Sequence, residues 1–272
     1  MPLELRPSSL FLPTITSSRS GLYESDYNLH KSNSTYFSDL DVSRSHIASI
    51  ILQPGVGKLH QNKTTKLVLD PNGNPALGKW GIMLGSVMCS FKREIGMFEG
   101  FEMWSRLLCW DRKWLYIVTH FVKKGTVKPS AYILTDGSWF GKKGFKKVEG
   151  KGNAELDEKN ICASAISKYV LKLGRLTIHP EVHLESSGML PPRPGGWAKM
   201  DGSNTGTPEL HPLTGEVREP REDDVWDWQR VVAENEKGLR YAEKFAALDD
   251  LHNEFTGSKA PAIGKYRDLW SA

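Results

Sequence analysis

The sequence predicts an α+β fold in which one long helix is followed by an antiparallel sheet. From Tyr36 to Ile51, apolar residues recur at steps of three and four, which is the spacing of one helix face. Beyond residue 80, four runs rich in β-branched and aromatic residues follow one another with turn residues between them. A helix succeeded by a meander of strands is typical of α+β domains.

The N-terminal part of the chain is predicted to hold one strand and the long helix. Residues 12–26 are rich in Thr, Ser and Ile and end in a polar stretch, which indicates a strand and a loop. The helix is expected to start at Ser34, with Asn33 or Ser34 as its N-cap. Asp39 lies early enough in the helix for its negative charge to interact favourably with the positive end of the helix dipole. Pro54 and the glycine after it predict where the helix ends.

The middle of the chain is predicted to form the antiparallel meander. Asp111 and the two basic residues after it interrupt two of the runs and indicate a hairpin turn. The four strands are expected at residues 82–95, 98–110, 114–122 and 131–140.

The last third of the chain changes character. Residues 160–173 are predicted to be a helix, and residues 186–221, rich in Pro and Gly, show no periodicity. Residues 223–255 predict a long helix whose apolar stripe must pack on the sheet or across a dimer. We therefore expect a sheet-bearing domain at 1–150 and a C-terminal extension at 151–272.

Composition excludes several classes of function. Lys and Arg exceed Asp and Glu by 36 to 32, a net charge of +4 that does not predict nucleic-acid binding. The three cysteines lack CxxC spacing, so we expect a reducing, cytoplasmic setting with neither a disulfide framework nor a zinc ribbon. No apolar run approaches the ~20 residues of a membrane span. His179 and His183 flank Pro180, which predicts a loop, and we expect no metal and no cofactor.

One short motif points to a family. Residues 26–36 read DYNLHKSNSTY and resemble the Asp-x-x-Gly-His-x-Asn-Asn-x-x-Tyr signature of hot-dog-fold thioesterases. Leu29 stands at the glycine of that signature, and Ser32 at its first asparagine. A second block, at 91–116, resembles the thioesterase superfamily member six branch, whose fungal relatives often accompany polyketide synthases.

The resemblance covers residues 20–140 and carries expectations for fold and function. It implies a hot-dog fold, in which the antiparallel sheet wraps around the long central helix. It also implies hydrolysis that releases an acyl or polyketide chain from coenzyme A or an acyl carrier protein. Hot-dog pockets commonly lie between two subunits, so we expect a homodimer or a higher homo-oligomer.

Four side chains are candidates for the catalytic work. Asp26 could attack the thioester carbonyl or deprotonate water, although an Asp in such a sequence also caps turns. His30 could hydrogen-bond the carbonyl or hold the loop in place. Asn33 is expected to cap the helix or to orient the loop. Asp41 is the alternative acid, and an exposed pair with Arg44 is its ordinary explanation.

Three further residues are predicted to bind substrate. The backbone at Ser34 and Thr35 would start the helix, and free N–H groups at a helix start can stabilise an oxyanion. Tyr36 completes this set, although its ring is also expected to pack on the sheet.

Two other functions remain open from the residues alone. The first is a hydratase or dehydratase on the same fold, in which an Asp and a His act on the acyl chain. The second is a non-catalytic module that binds acyl groups. It is suggested by Leu29 and Ser32, which depart from the glycine and asparagine of the signature. Thiol release from thioesters would separate hydrolysis from both.

Overall fold

A computed structural model of the chain describes residues 5–129, 131–133, 146–147, 158–191 and 226–254. The strands are β1 (Thr14–Arg19), β2 (Trp80–Phe91), β3 (Gly100–Trp110), β4 (Trp114–Lys123), β5 (Ala131–Tyr132), β6 (Lys146–Lys147), β7 (Ile161–Leu173) and β8 (Leu176–Ile178). The α-helices are α1 (Thr35–His60), α2 (Asn62–Thr65), α3 (Pro180–Ser186) and α4 (Trp228–Ala246). Short 3₁₀ helices occupy Pro7–Ser9, Leu22–Glu24, Glu158–Asn160 and Ala247–Glu254.

The main sheet is antiparallel, with its strands in the order β1-β3-β4-β7-β2, and β8 pairs with the C-terminal end of β7. Helix α1 packs on one face of this sheet, and Ile47, Ile51 and Leu52 lie in one apolar core with Leu107 and Ile117. A long helix covered by a curled antiparallel sheet confirms the predicted α+β hot-dog fold.

The predicted strands of the meander are confirmed, with small shifts of their ends. β2, β3 and β4 match the first three runs. The first strand is shorter than predicted, because the chain turns into a 3₁₀ helix at Leu22–Glu24. Of the fourth run, Ala131–Tyr132 is a strand, and residues 134–140 lie outside the described residues.

The helix predicted at residues 160–173 is wrong, because this segment is strand β7. It lies between β4 and β2 and bonds to both. Both faces of β7 are covered, so 11 of its 13 residues are buried, and the alternation that marks a half-exposed strand is lost. β7 thus belongs to the same sheet as β1 to β4, although it lies beyond residue 150, where the domain boundary is predicted.

Helix α1 does not end at Pro54 as predicted but continues to His60. A proline inside a helix removes a backbone hydrogen bond, and packing must offset that cost. Here α3 docks beside the proline: the Leu52 carbonyl accepts from His183 Nε2 at 2.8 Å and from Ser187 Oγ at 3.2 Å. A Cβ on Gly55 would lie 2.3 Å from Ser186 Oγ, so the glycine permits this close approach.

The predicted loop at His179 to His183 is also corrected, because α3 occupies it. Pro180 sits at the first position of the helix, where a missing N–H costs nothing. His179 is the N-cap, and its ring accepts from the backbone N–H of Glu181 at 3.2 Å.

His183 makes the stability of the fold depend on pH. It is fully buried, its Nε2–H donates to Leu52, and its Nδ1 accepts from Trp80 Nε1 at 3.1 Å. Burial lowers the pKa of His183 below its usual 6.5, although the Leu52 bond acts against this. A depressed histidine pKa gives stability above the unfolded-state pKa that is lost as the pH falls below it, because the unfolded chain then binds the extra proton.

We therefore expect the free energy of unfolding to fall between pH 7 and pH 5, by up to ~1.4 kcal/mol per pH unit. The melting temperature should fall with it. His183→Gln removes the titrating group, so its stability should change less over the same interval. His120, whose pKa is also lowered, is present in both proteins and cancels in the comparison. Equal pH slopes for the two proteins would contradict the assignment to His183.

Helix α4 crosses the edge of β3 that β1 leaves open. Asn235 accepts from the Trp110 backbone N–H at 2.8 Å and donates to the Trp110 carbonyl at 3.1 Å, as a neighbouring strand would. Val231 lies in the α1 side of the core, and Phe245 packs on the opposite face of the sheet. This confirms a long C-terminal helix that packs on the sheet.

The bounds of the C-terminal segments differ from those predicted. The helix predicted at 223–255 is α4 followed by the 3₁₀ segment Ala247–Glu254. Of the segment predicted at 186–221, residues 192–221 lie outside the described residues. No helix within the described ranges is long and apolar enough to cross a membrane.

Candidate active site

The candidate site is built on a narrow loop before α1. Ser25 and Lys31 pair across its base, and His30 pairs with Gly96 on the segment between β2 and β3. The Lys31 N–H donates to the Ile95 carbonyl at 2.8 Å, and the Met97 N–H donates to the Leu29 carbonyl at 3.1 Å. The loop is therefore attached through residues 29–31 to the segment between β2 and β3.

Asp26 shapes the tip of this loop with one of its two oxygens. Oδ1 accepts from the backbone N–H groups of Asn28 at 2.9 Å and of His30 at 3.2 Å. The side chain is half-buried, and Oδ2 has no hydrogen-bond partner within the described residues. The turn-capping role is thus confirmed, and it leaves the second oxygen available for chemistry.

The tip requires a left-handed backbone at the position of the signature glycine. Leu29 has φ of 63°, and Phe98, next to it on the supporting segment, has φ of 62°. This conformation costs a residue with a Cβ about 1–2 kcal/mol. Leu29 therefore makes the turn that the signature assigns to glycine, and neighbouring hydrogen bonds hold it there.

His30 lies at the end of the same turn. Its Nδ1 is 3.3 Å from Glu94 Oε2, and its side chain is 37% exposed. A carboxylate beside Nδ1 favours a proton on that nitrogen, which leaves Nε2 to accept a proton or, when the ring is charged, to donate one. The structure thus gives His30 both a place in the loop and a partly exposed ring.

The start of α1 carries unpaired backbone donors. Ser34 is the N-cap, but its backbone is helical and its side chain makes no capping bond. Thr35 donates from its N–H and from Oγ1 to the Ser32 carbonyl, at 3.0 and 2.7 Å. The N–H groups of Ser34 and Tyr36 have no partner among the described residues. Such groups can bind an anion or a developing negative charge.

Asn33 does not do what was predicted for it. Its side chain is exposed and makes no hydrogen bond within the described ranges, while Ser34 takes the capping position. The helix therefore begins one residue later than an Asn33 cap requires, and neither the capping nor the orienting role is supported.

Tyr36 is a core residue. It is 2% exposed, and its ring lies 5.1 Å from that of Phe91 and 4.9 Å from that of Phe121. Burial raises the pKa of its hydroxyl. Packing on the sheet is confirmed, and direct contact of this side chain with substrate is not supported.

Asp41 is separate from the loop. Its carboxylate is exposed and pairs with Arg44 one helical turn later. Arg44 is buried and donates to Ser167 Oγ on β7 at 2.8 Å, so this pair attaches α1 to the sheet. The structure brings Asp26 and His30 together and leaves Asp41 out.

The sequence patterns did not predict an ion cluster around a buried lysine, formed by Glu24, Lys31 and Asp39. Lys31 Nζ lies 2.8 Å from Glu24 Oε2 and 2.7 Å from Asp39 Oδ2, and its side chain is not exposed at all. Burial raises the pKa of Asp39, although Lys31 acts against that shift. The available signal in the sequence was Lys31 itself, which lies between two positions of the signature and is not explained by it.

A second histidine lies on the sheet face opposite α1. His120 Nδ1 is 2.9 Å from Ser164 Oγ on the neighbouring strand. Burial, followed by Arg106 and Lys92, lowers the pKa of His120. No carboxylate orients this ring among its described contacts, so the pair lacks the third member of a catalytic triad. The described residues also contain no group of three or more His, Cys, Asp or Glu placed to hold a metal ion.

Comparison with known proteins identifies the family of the chain. The family model described as the Thioesterase-like superfamily matches residues 21–151. The chain is 36% identical to thioesterase poxG of Penicillium oxalicum over 260 residues, covering 94% of this chain and 74% of that protein. It is 32% identical to the probable thioesterase atnL of Emericella nidulans, with the same coverage. It is also 33% identical to thioesterase lcsJ of Purpureocillium lilacinum, over 88% of this chain and 69% of that protein. The chain therefore belongs to the thioesterase-like superfamily, a family of thioester hydrolases.

Proposed function

We propose that this protein hydrolyses the thioester of an acyl or polyketide chain held by coenzyme A or an acyl carrier protein, in the cytoplasm and as part of fungal secondary metabolism. The observation that carries the proposal is that the two carboxylate oxygens of Asp26 have different roles. Oδ1 fixes the turn, Oδ2 is unpaired among the described residues, and unpaired backbone donors follow at the start of α1. The relatives named as thioesterases in three fungi support the setting.

The chemistry follows from these groups. Asp26 Oδ2 either removes a proton from water, whose oxygen bonds to the carbonyl carbon, or bonds to that carbon itself. The carbonyl oxygen then carries negative charge, which the N–H groups of Ser34 and Tyr36 stabilise. The C–S bond breaks, and its electron pair leaves on sulfur. When Asp26 has deprotonated water, the thiolate takes the proton from the carboxylic acid formed at Asp26. When Asp26 has itself bonded to the carbonyl carbon, the thiolate takes a proton from His30, and water then cleaves the acyl–Asp26 anhydride, which releases the carboxylic acid, restores the Asp26 carboxylate and returns a proton to His30.

His30 acts beside Asp26 as a proton donor and acceptor. Glu94 favours the proton on Nδ1, which leaves Nε2 as the nitrogen that would exchange a proton with the substrate. When the ring is protonated, Nε2–H can donate to the leaving sulfur.

A panel of thioesters tests the proposal directly. The purified protein is incubated with short, long and aromatic acyl thioesters of coenzyme A and of phosphopantetheine, and free thiol and carboxylic acid are measured together. We expect the two products in equal amounts. Addition of water to an unsaturated acyl chain without thiol release would instead indicate a hydratase, and binding without any product a non-catalytic module.

We also propose that two copies join through strand β2. Within the described residues, β2 has a neighbouring strand on one side only. Several of its large apolar side chains are exposed: Met83, Leu84, Met88 and Phe91. A long, apolar, open edge is a liability that pairing with a second chain removes. The exposed apolar side chains of Tyr27, Leu29 and Phe98 would be covered by the same partner chain.

Light scattering at micromolar concentration should therefore give a mass about twice the 30.5 kDa of one chain. Met88→Lys places a charge on the open edge and should shift the mass toward one chain. Leu12→Lys changes an equally exposed residue away from β2 and serves as the control, because its mass should not change. A wild-type mass near 30.5 kDa would contradict the proposed dimer.

A further inference from the structure

We propose that Lys31 is a positioning residue that sets the catalytic loop against the start of α1, through its ion pairs with Glu24 and Asp39. This inference rests on the proposed function, because it assigns a task within the same site. Lys31 itself is buried and cannot touch the substrate.

The cluster connects three parts of the site. Glu24 closes the 3₁₀ helix before the loop, Lys31 ends the loop, and Asp39 lies on the second turn of α1. The backbone reinforces the first connection, since the Ser32 N–H donates to the Glu24 carbonyl at 2.7 Å. The contact between Lys31 Nζ and Asp39 Oδ2 is the side-chain link from the loop to α1. It therefore connects the loop that carries Asp26 to the helix that carries the unpaired donors.

The surroundings of Lys31 make this link stiff. Its ammonium lies 5.6 Å from the ring centre of Tyr36 and 5.3 Å from that of Phe101. Rings and carboxylates thus surround a cation that has no contact with water. Removal of one partner of such a buried pair leaves an uncompensated charge, and the structure must adjust. An adjustment here moves the loop relative to α1.

A shift of that kind affects catalysis more than substrate binding. A misplacement of about 1 Å in a catalytic group can cost ~100-fold in rate, while contacts to the remote parts of the substrate persist. We therefore expect Lys31→Met to lower kcat by about 10- to 100-fold, with KM changed by less than about threefold. Lys31→Arg keeps the charge and should recover part of the loss.

Lys168→Met is the matched control. Lys168 is also a buried lysine, 3% exposed, that pairs with an aspartate, Asp249, and lies over Trp114 and Phe245. It is on β7 and far along the chain from the loop. Both lysine variants should lower the melting temperature, but Lys168→Met should leave kcat unchanged.

The test measures kcat, KM and hydrogen exchange on the full chain, at a temperature where each variant is folded. Exchange of the amides at 25–32 should accelerate in Lys31→Met and not in Lys168→Met. Should Lys31→Met fail to fold, Asp39→Ala removes the carboxylate of the same link and should shift kcat and exchange in the same direction. Unchanged kcat with unchanged exchange in these loop variants would overturn the inference.

The exchange readout also separates this inference from the proposed function. A wild-type protein that releases no thiol from any thioester refutes the proposed function. In that case, accelerated exchange confined to 25–32 in Lys31→Met still supports Lys31 as the residue that positions the loop, and unchanged exchange refutes it.

Discussion

Asp26→Asn is expected to lower kcat for thiol release by about two to four orders of magnitude, the range for loss of a positioned acid or base. An amide neither removes a proton from water nor attacks a carbonyl. Its oxygen still accepts hydrogen bonds, so the bonds from the N–H groups of Asn28 and His30 can persist. Folding and oligomeric state should therefore match the wild type in circular dichroism and light scattering.

The chain contains a matched control for this substitution. Asp70 makes the same turn elsewhere: its Oδ1 accepts from the N–H groups of Asn72 and Asn74, each at 2.9 Å. Asp70→Asn repeats the chemical change in the same local geometry but away from the loop, so it should change stability similarly and leave kcat intact. A loss of activity in Asp41→Asn, with turnover retained in Asp26→Asn, would move the chemistry onto α1.

Gly238→Ala is expected to destabilise the fold by about 2–3 kcal/mol, because it pushes α4 away from β3. A Cβ at this position would lie 2.3 Å from the Leu108 carbonyl oxygen and 2.6 Å from Cys109 Cβ. The nearest atom belongs to the backbone of a paired strand, which cannot rotate away. The melting temperature should fall by about 5–10 °C.

Gly57→Ala is the control that isolates this contact. Gly57 is exposed inside α1, and nothing lies within 4 Å of the Cβ it would gain. Alanine is better than glycine in a helix by about 0.5–1 kcal/mol, so this variant should be more stable than the wild type. Helix propensity alone predicts stabilisation at both sites. Opposite signs in thermal unfolding would therefore establish the close packing of α4, and a stabilised Gly238→Ala would contradict it.

Local patterns predicted most of the fold in this chain. The apolar spacing of α1 records one buried face, and the turn residues between the β-rich runs mark the strands of the meander, so a short stretch of sequence reveals each of them. β7 has neighbouring strands on both sides, and both of its faces are covered. Its sequence therefore shows that the segment is buried but lacks the alternation that identifies a strand. Helix and strand are hard to distinguish in such a run without knowledge of its partners. Pro54 misled for a related reason, because α3, which supports the helix there, comes over a hundred residues later.

The sequence likewise predicted some residues of the candidate site and not others. The signature at 26–36 located Asp26 and His30, since a tight turn requires particular residues at fixed spacing. Asn33 and Tyr36 share that signature, but the helix start exposes one and buries the other, and spacing does not reveal this. Lys31 was missed because its two carboxylate partners lie seven and eight residues away on different elements.

The location of the site can be measured most directly by hydrogen exchange of the full chain, with and without a saturating thioether analogue of an acyl-coenzyme A, which cannot be hydrolysed. We expect slower exchange at amides 26–37, which include the loop and the first turn of α1, and at the supporting segment 95–98. Protection confined to the opposite face of the sheet, around His120 and Ser164, would contradict the placement of the hydrolytic site at the Asp26 loop.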